Sequence, residues 1–434
     1  MVEIINAPNI LYSMKQILII FIFVCAAFAN TVLVLDCDGA IDPPMSQYIV
    51  SGLARAHSTN AELVIIIIDT PGGLMSATKE ITDAIVNSDV PVAAFVYPRG
   101  ARAASAGVFI TMASHIAAMS PGTHIGAAHP VGIGVGADTS QVMMEKSTND
   151  AIAWLRSLAQ LHGRNEQWAE RAVRYSESIT ASEAESIGVI DLVAQDIESL
   201  LHKISGTTVK LHNGEKAPNT ENAEIARLGM TVPQKVLHTI LNPNIAYLLL
   251  IIGLVGLYLE FQHPGAILPG VAGVVSLLAA IYAFQILPVN YIGVLLIFAG
   301  IVMFILEVKM PGFGLLTGGG IVALLLGSFM LTSGNIPILR ISWWTIIPTV
   351  LVVALLFIFV VAKALVIQRK KPATGIEGIV GEIGEVIAPI SADAKGKVYV
   401  HGEIWDARAP YAIEKSASVR VARAEGMTLW VEKA

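Results

Sequence analysis

Three features of the sequence predict a multi-domain chain: an α/β domain, a helical membrane bundle of about five spans, and a small all-β barrel. The first is a series of short β-branched runs separated by helical stretches. The second is a block of long apolar segments between residues 244 and 368. The third is a glycine-spaced, strand-like tail from residue 375. The 434 residues are enough for two to four domains. Apolar residues make up 54% and charged residues 14%, with a mean hydropathy of +0.65, which excludes a disordered chain and argues against a wholly soluble one. The net charge of −6 offers no basic surface for nucleic acid. Two cysteines, Cys25 and Cys37, exclude a disulfide scaffold and a cysteine-based metal site.

The N-terminus has the layout of a signal peptide over residues 1–29. Lys15 precedes the apolar run Ile17–Cys25, and Ala27-Phe28-Ala29 supplies small residues for cleavage. The α/β domain is placed at 30–204. Val32–Leu35, Glu62–Asp69 and Val92–Tyr97 are apolar and β-branched, as strands buried on both faces of a parallel sheet require. Leu74–Asn87 and Thr148–Gly163 carry helical spacing. Residues 205–243 are a linker and juxtamembrane segment, polar and turn-rich at first, with room for one hairpin.

The membrane spans are expected near Ile245–Leu259, Ala266–Leu287, Tyr291–Leu306, Phe313–Leu331 and Trp343–Ile367. Some are short for a hydrocarbon core about 30 Å thick. Leu259-Glu260 and Pro264-Gly265 recur 47 positions later as Leu306-Glu307 and Pro311-Gly312, and Gly273 recurs as Gly320. Two tandem helix–turn–helix hairpins explain this repeat. Lys363, Arg369, Lys370 and Lys371 follow the last span, so that end belongs in the cytoplasm and the α/β domain on the opposite side. In the tail, Val398–Val400, Val419–Val421 and Thr428–Val431 read as strands of a barrel of about five. It lacks basic or aromatic stripes, which disfavours nucleic acid.

Three motifs of the first domain carry chemistry. Asp69-Thr70-Pro71-Gly72-Gly73 follows the most apolar strand, and paired glycines there present free N–H groups suited to an oxyanion. Ser105 stands among small residues in Ala103-Ala104-Ser105-Ala106-Gly107, ahead of the apolar helical run Val108–Ala113. A serine at a helix head is accessible, and the next N–H, on Ala106, can join the oxyanion site. Lys146 is the one lysine between Lys79 and Lys203, an interval with six arginines. A lysine whose pKa is lowered by burial can deprotonate a serine, whereas an arginine cannot. His129, with Asp138 or Asp191 to orient it, is the alternative base and would make a triad. His124 and His129 lack a third metal ligand.

Together these residues resemble the long form of the NfeD family of membrane-bound serine proteases, a Clp/crotonase-like domain fused to a membrane region and an OB-fold tail. The resemblance spans nearly the whole chain. It includes Pro121-Gly122-Thr123, Ile125-Gly126-Ala127, Gly163-Arg164-Asn165, Asn242-Pro243-Asn244 through Leu249, the repeated Glu–Pro–Gly pattern and Gly402-Glu403-Ile404-Trp405-Asp406-Ala407. It implies a Ser105–Lys146 dyad, with Gly73 and Ala106 as oxyanion donors. It implies oligomeric protease domains, no cofactor, and a stomatin-like membrane protein as substrate or partner, cut in hydrophobic sequence. The chain would then be a multi-pass protein of the inner (plasma) membrane, with an extracytoplasmic protease domain and a cytoplasmic barrel. Two departures from the family pattern stand out. His129 falls near the catalytic histidine of soluble Clp proteases, and Ser416-Ala417 stands where a glycine turn is expected. The competing readings are a membrane scaffold for stomatin-like partners with a vestigial protease fold, and a crotonase-like acyl-CoA fold. Membrane spans and an exported domain argue against the second of these.

Overall fold

The computed structural model describes residues 30–131, 141–262, 265, 267–310, 314–332, 340–369 and 376–434. The expected signal peptide, 1–29, and Asp138 lie outside the described residues. The chain forms two compact units, one of residues 1–302 with 319–350 and the other of 303–318 with 351–434.

The first unit opens with β1 (Thr31–Asp38), α1 (Pro43–Ser58), β2 (Leu63–Asp69), α2 (Met75–Val86) and β3 (Val92–Val96). Next come β4 (Arg102–Ala104), α3 (Ala106–Ala113), β5 (Ile116–Met119), β6 (His124–Gly126), α4 (Gln141–Leu161) and α5 (Glu166–Arg174). Then follow β7 (Ser178–Thr180), α6 (Ala181–Ser186), β8 (Leu192–Val193), α7 (Ile197–Ile204), β9 (Val209–Leu211), β10 (Gly214–Lys216), β11 (Glu224–Leu228) and α8 (Val232–Ile240). The main sheet has the order β11-β1-β2-β3-β5-β8, and every pair in it is parallel. A second sheet, β4-β6-β7, stands beside it. Side chains of β2 alternate between two cores: Val64, Ile66 and Ile68 in one, Leu63, Ile65 and Ile67 in the other. Burial on both faces is why this strand reads as an unbroken apolar run.

One expectation needs correction. The polar stretch after residue 204 does hold the hairpin β9–β10, but it does not end as a linker. Glu224–Leu228 forms β11 at the edge of the main sheet, in register from Thr31 opposite Glu224 to Leu35 opposite Leu228. The Tyr48 hydroxyl donates to the Leu228 carbonyl. An edge strand open to water needs no apolar run, so Glu224 and Arg227 hid it.

Five apolar helices follow: α9 (Pro243–Gln262), α10 (Ile267–Ile286), α11 (Tyr291–Lys309), α12 (Leu315–Leu331) and α13 (Trp343–Arg369). Four are long and apolar enough to cross a membrane; α12, with 17 residues, is shorter. At 1.5 Å per residue α12 reaches about 26 Å. The sequence repeat is a packing repeat. A Cβ on Gly253 would lie 2.9 Å from Leu277 Cβ, and one on Gly300 would lie 3.1 Å from the Leu324 nitrogen. Both pairs are related by the same shift of 47 positions, so each hairpin closes on a glycine that lets backbones touch.

In the second unit, Glu307 is buried and accepts backbone N–H groups from Gly314 (3.0 Å), Leu316 (3.0 Å) and Thr317 (3.2 Å). After α14 (Ile376–Ile379) come β12 (Ile383–Ala388), β13 (Gly396–Val400), β14 (Glu403–Arg408), β15 (Ser418–Glu425) and β16 (Thr428–Lys433). They close a barrel in the order β12-β13-β14-β16-β15 around Val386, Val398, Val421 and Leu429. Ser416, where the sequence analysis expects a glycine, takes a left-handed φ of 68°.

Candidate active site

The end of β2 folds back on itself through Thr70. Its hydroxyl donates to the Gly39 carbonyl (2.6 Å) and accepts from the Gly72 N–H (3.0 Å). Its backbone clips the next segment in place, with Thr70 N donating to Arg102 O (2.8 Å) and Ala104 N to Thr70 O (3.0 Å). The Asp69 carboxylate accepts from the Arg102 N–H at 3.1 Å. These bonds set the glycine turn after β2 against the β4–α3 junction, where Ser105 stands.

Ser105 has φ 50° and ψ −108°, and its side chain caps nothing. A non-glycine residue at positive φ is strained by an amount on the order of 1–3 kcal/mol and is held there by its surroundings. The holding bonds are Ser105 N to Gly126 O (3.1 Å) and Val108 N to Ser105 O (3.0 Å). Every residue of α3 is buried, so the helix behind the serine is fixed. This sharp strand-to-helix turn thrusts a hydroxyl forward at a helix N-terminus.

Gly73 stands in the turn after β2, and Ala106 follows Ser105 at the head of α3. Neither amide finds an acceptor among the described residues. Position 73 tolerates only glycine, because a Cβ there would lie 2.2 Å from the Ile41 carbonyl oxygen. Gly107 also packs closely, with a Cβ 2.8 Å from Thr70 Cγ2. Gly72, Gly73 and Ser105 therefore line one cleft.

The hydroxyl opens into a cleft of about 670 Å³ lying wholly within the first unit. Its lining includes Ile41, Leu74, Met144 and Trp154 beside Ser105, with Asp150 as a polar group. Lys146 lies on α4, exposed, one turn from Met143 and one from Asp150, both of which line the cleft. It makes no hydrogen bond or ion pair among the described residues. Among the described residues Lys146 thus lies exposed on the helix that lines the cleft, with no hydrogen bond to Ser105.

Of the histidine alternative, His129 and Asp191 are described, and Asp138 lies outside the described residues. His129 turns its Nδ1 to the Val173 carbonyl oxygen at 2.9 Å. Asp191 is engaged elsewhere, accepting from Ala117 N (2.7 Å) and from Arg164 Nη2 (2.8 Å). That ion pair ties the α4–α5 turn to β5, and no hydrogen bond joins Asp191 to His129 among the described residues.

Sequence reasoning missed two contributors. Gly72, at φ 123°, abuts Ser105 directly; its signal was the motif, but not its separate role. His238 on α8 also lines the cleft and pairs with Asp42 at 2.7 Å. The hydrogen bond to Asp42 raises the His238 pKa above its ordinary 6.5. Its only sequence signal was the capping pair Thr231 and Gln234 at the head of α8.

Three family descriptions match the chain: "NfeD1b, N-terminal domain" over residues 31–226, "NfeD integral membrane domain" over 244–363, and "NfeD-like C-terminal, partner-binding domain" over 376–433. The chain is 37% identical over 432 residues to "Membrane-bound protease PH1510" of Pyrococcus horikoshii, covering 96% of this chain and 97% of that one. Among solved structures, a lysine-to-alanine variant of the "1510-N membrane-bound stomatin-specific protease", in complex with a substrate peptide, is 37% identical. It covers 48% of this chain and 96% of its own, with a TM-score of 0.44. A serine-to-alanine variant of the same protease is 39% identical, covers 46% of this chain and 98% of its own, and has a TM-score of 0.43. With a relative this similar along almost its whole length, and all three regions matched in order, the chain belongs to the NfeD family, in its long form with a Clp-protease-like domain, an integral membrane domain and a partner-binding barrel.

Proposed function

We propose that this protein is a membrane-bound serine endopeptidase with Ser105 as nucleophile and Lys146 as general base. The observation that carries the reading is Ser105 itself, held at φ 50° at the head of a buried helix, with the Gly73 and Ala106 amides finding no acceptor among the described residues. In the reaction, Ser105 Oγ attacks the scissile carbonyl carbon and its proton passes to neutral Lys146. The oxyanion sits on the Gly73 and Ala106 amides. The tetrahedral intermediate collapses to an ester as the lysine returns the proton to the leaving amine. Water, activated the same way, hydrolyses the ester and restores the serine.

As a general base Lys146 must be shielded from water, and in this structure its side chain is exposed. Val142 and Met143 beside it are 73% and 58% exposed. An apolar substrate, or a second protomer packed on α4, would cover the amine and exclude water from it. Homo-oligomeric protease domains are therefore part of the reading.

The relative's stomatin specificity supports a stomatin-like membrane protein as the substrate or partner here, with the barrel as the partner-binding module. The basic residues Lys363, Arg369, Lys370 and Lys371, in the last part of α13 and directly after it in sequence, support a cytoplasmic barrel and an extracytoplasmic protease domain. A fluorophosphonate probe on the full chain tests the core of the proposal. Labelling and peptide cleavage are expected in the native protein and lost in Ser105→Ala. Cleavage is expected to be lost in Lys146→Ala, with His129→Ala active. A protein that is folded yet neither labelled nor proteolytic would favour the scaffold reading.

A further inference from the structure

The cleft beside Ser105 has a second wall, which does not come from the α/β layer. His238 and Leu241 at the end of α8, Pro243 at the start of α9, and Leu287 and Pro288 just after α10 line it together with Gly73 and Trp154. Leu241 and Leu287 are only 5% and 9% exposed. The pairing of His238 with Asp42, the N-cap of α1, pins α8 against the α/β domain. α9 and α10 are both long and apolar enough to cross a membrane. Their adjoining ends therefore mark the level of the bilayer surface, and the cleft opens at that level.

We propose that this wall is a specificity-determining part of the protease. In this assignment, Leu241, Leu287 and Pro288 bind an extended apolar peptide that leaves the bilayer beside α9 and α10, close to the bond that Ser105 cuts. The inference rests on the proteolytic reading of Ser105 and extends it to residues outside the α/β domain. Its physical basis is continuity. The same cavity that receives the nucleophile is walled by membrane-helix ends, so a membrane-anchored substrate reaches Ser105 without a long soluble spacer. The wall offers leucine, isoleucine and proline side chains with one histidine and one asparagine, a mostly apolar surface that rewards burial of apolar side chains.

The test uses the full chain in lipid nanodiscs, carrying Ser105→Ala so that peptide is retained. The probe is a fluorescein-labelled apolar decapeptide with a central benzoylphenylalanine. Ultraviolet crosslinks, mapped by mass spectrometry, are expected at residues 241–243 or 286–288. Adding Leu287→Asp or Pro288→Asp is expected to weaken peptide binding about tenfold, the scale set by one apolar contact in a pocket. In otherwise native protein these changes should raise KM and leave fluorophosphonate labelling of Ser105 intact, which separates a lost wall from a lost fold. Crosslinks confined to residues 39–75 and 143–154, unchanged affinity in both variants, or no binding at all would overturn the inference. Cleavage by the native protein with no crosslink to the wall sinks the inference and spares the protease. Crosslinks to the wall with no cleavage do the reverse.

Discussion

Gly72 and Ser105 touch across the junction of two strand ends: a Cβ added at Gly72 would lie 2.8 Å from Ser105 Cβ and 3.2 Å from its hydroxyl oxygen. Gly72 also holds φ 123°, a region that side chains avoid. Gly72→Ala is therefore expected to push Ser105 off its position and to strain its own backbone. Probe labelling should fall by at least about tenfold, with a stability loss of about 1–3 kcal/mol. Labelling rate and thermal midpoint, measured together, check both.

Ser105 itself is strained. Ser105→Gly should relieve the φ of 50° while removing the nucleophile. The expected outcome is an inactive protein as stable as the native one or more so, by up to about 1 kcal/mol. A lowered thermal midpoint would show that the turn carries no strain.

Two histidines set a pH limit. Burial first, and then the neighbouring charged groups His162 and Arg164, push His115 down from 6.5 to about 4. Burial and Arg164 do the same for His162, also to about 4. His115 Nδ1 accepts the Val92 N–H at 3.2 Å, which requires a neutral ring. The unfolded chain takes up these protons near 6.5 and the folded one only near 4. Stability of the α/β domain should therefore fall as pH drops from 6.5 towards 4. His238 has the opposite sign: Asp42 raises its pKa, so that contribution is complete below 6.5 and fades as pH rises through the raised value. Urea midpoints across pH 4–9 should show the acid loss, and His238→Leu should remove only the alkaline one.

Cys37 in β1 is buried, and burial, followed by Asp38 and Asp42, lifts its thiol to about 12. It should resist iodoacetamide in the native protein and react only on unfolding. Rapid native-state alkylation would place it outside the core.

Glu307 holds three backbone N–H groups at the start of α12. Glu307→Ala leaves those donors unpaired and is expected to destabilise the hairpin by about 1–3 kcal/mol. Glu307→Gln, which keeps an acceptor, should cost less. Unfolding in mixed micelles measures the difference.

Much of this was legible in sequence because local patterns report local physics. Ile65 to Ile68 announced a strand buried on both faces. The shift from Glu260 to Glu307 announced a hairpin repeat, and Ser105 among alanines announced an exposed hydroxyl at a helix head. Glu224–Leu228 was hidden because an edge strand is half solvated and carries no apolar signature. Lys146 stood out by its scarcity, yet scarcity says nothing about burial, and the side chain lies exposed on α4.

What the sequence by itself determined is the order of three domains, the membrane-forming segments and the residue types of a serine hydrolase site. Each follows from periodicity, hydropathy and the chemistry of single side chains. Only the tertiary structure decided which groups meet. It put Asp191 on Arg164 instead of His129, set Gly72 against Ser105, and brought Leu287 and Pro288 to a cleft that also holds Ser105, more than 180 positions earlier. Such contacts depend on how separate elements pack, and no local pattern of residues encodes the distance between them.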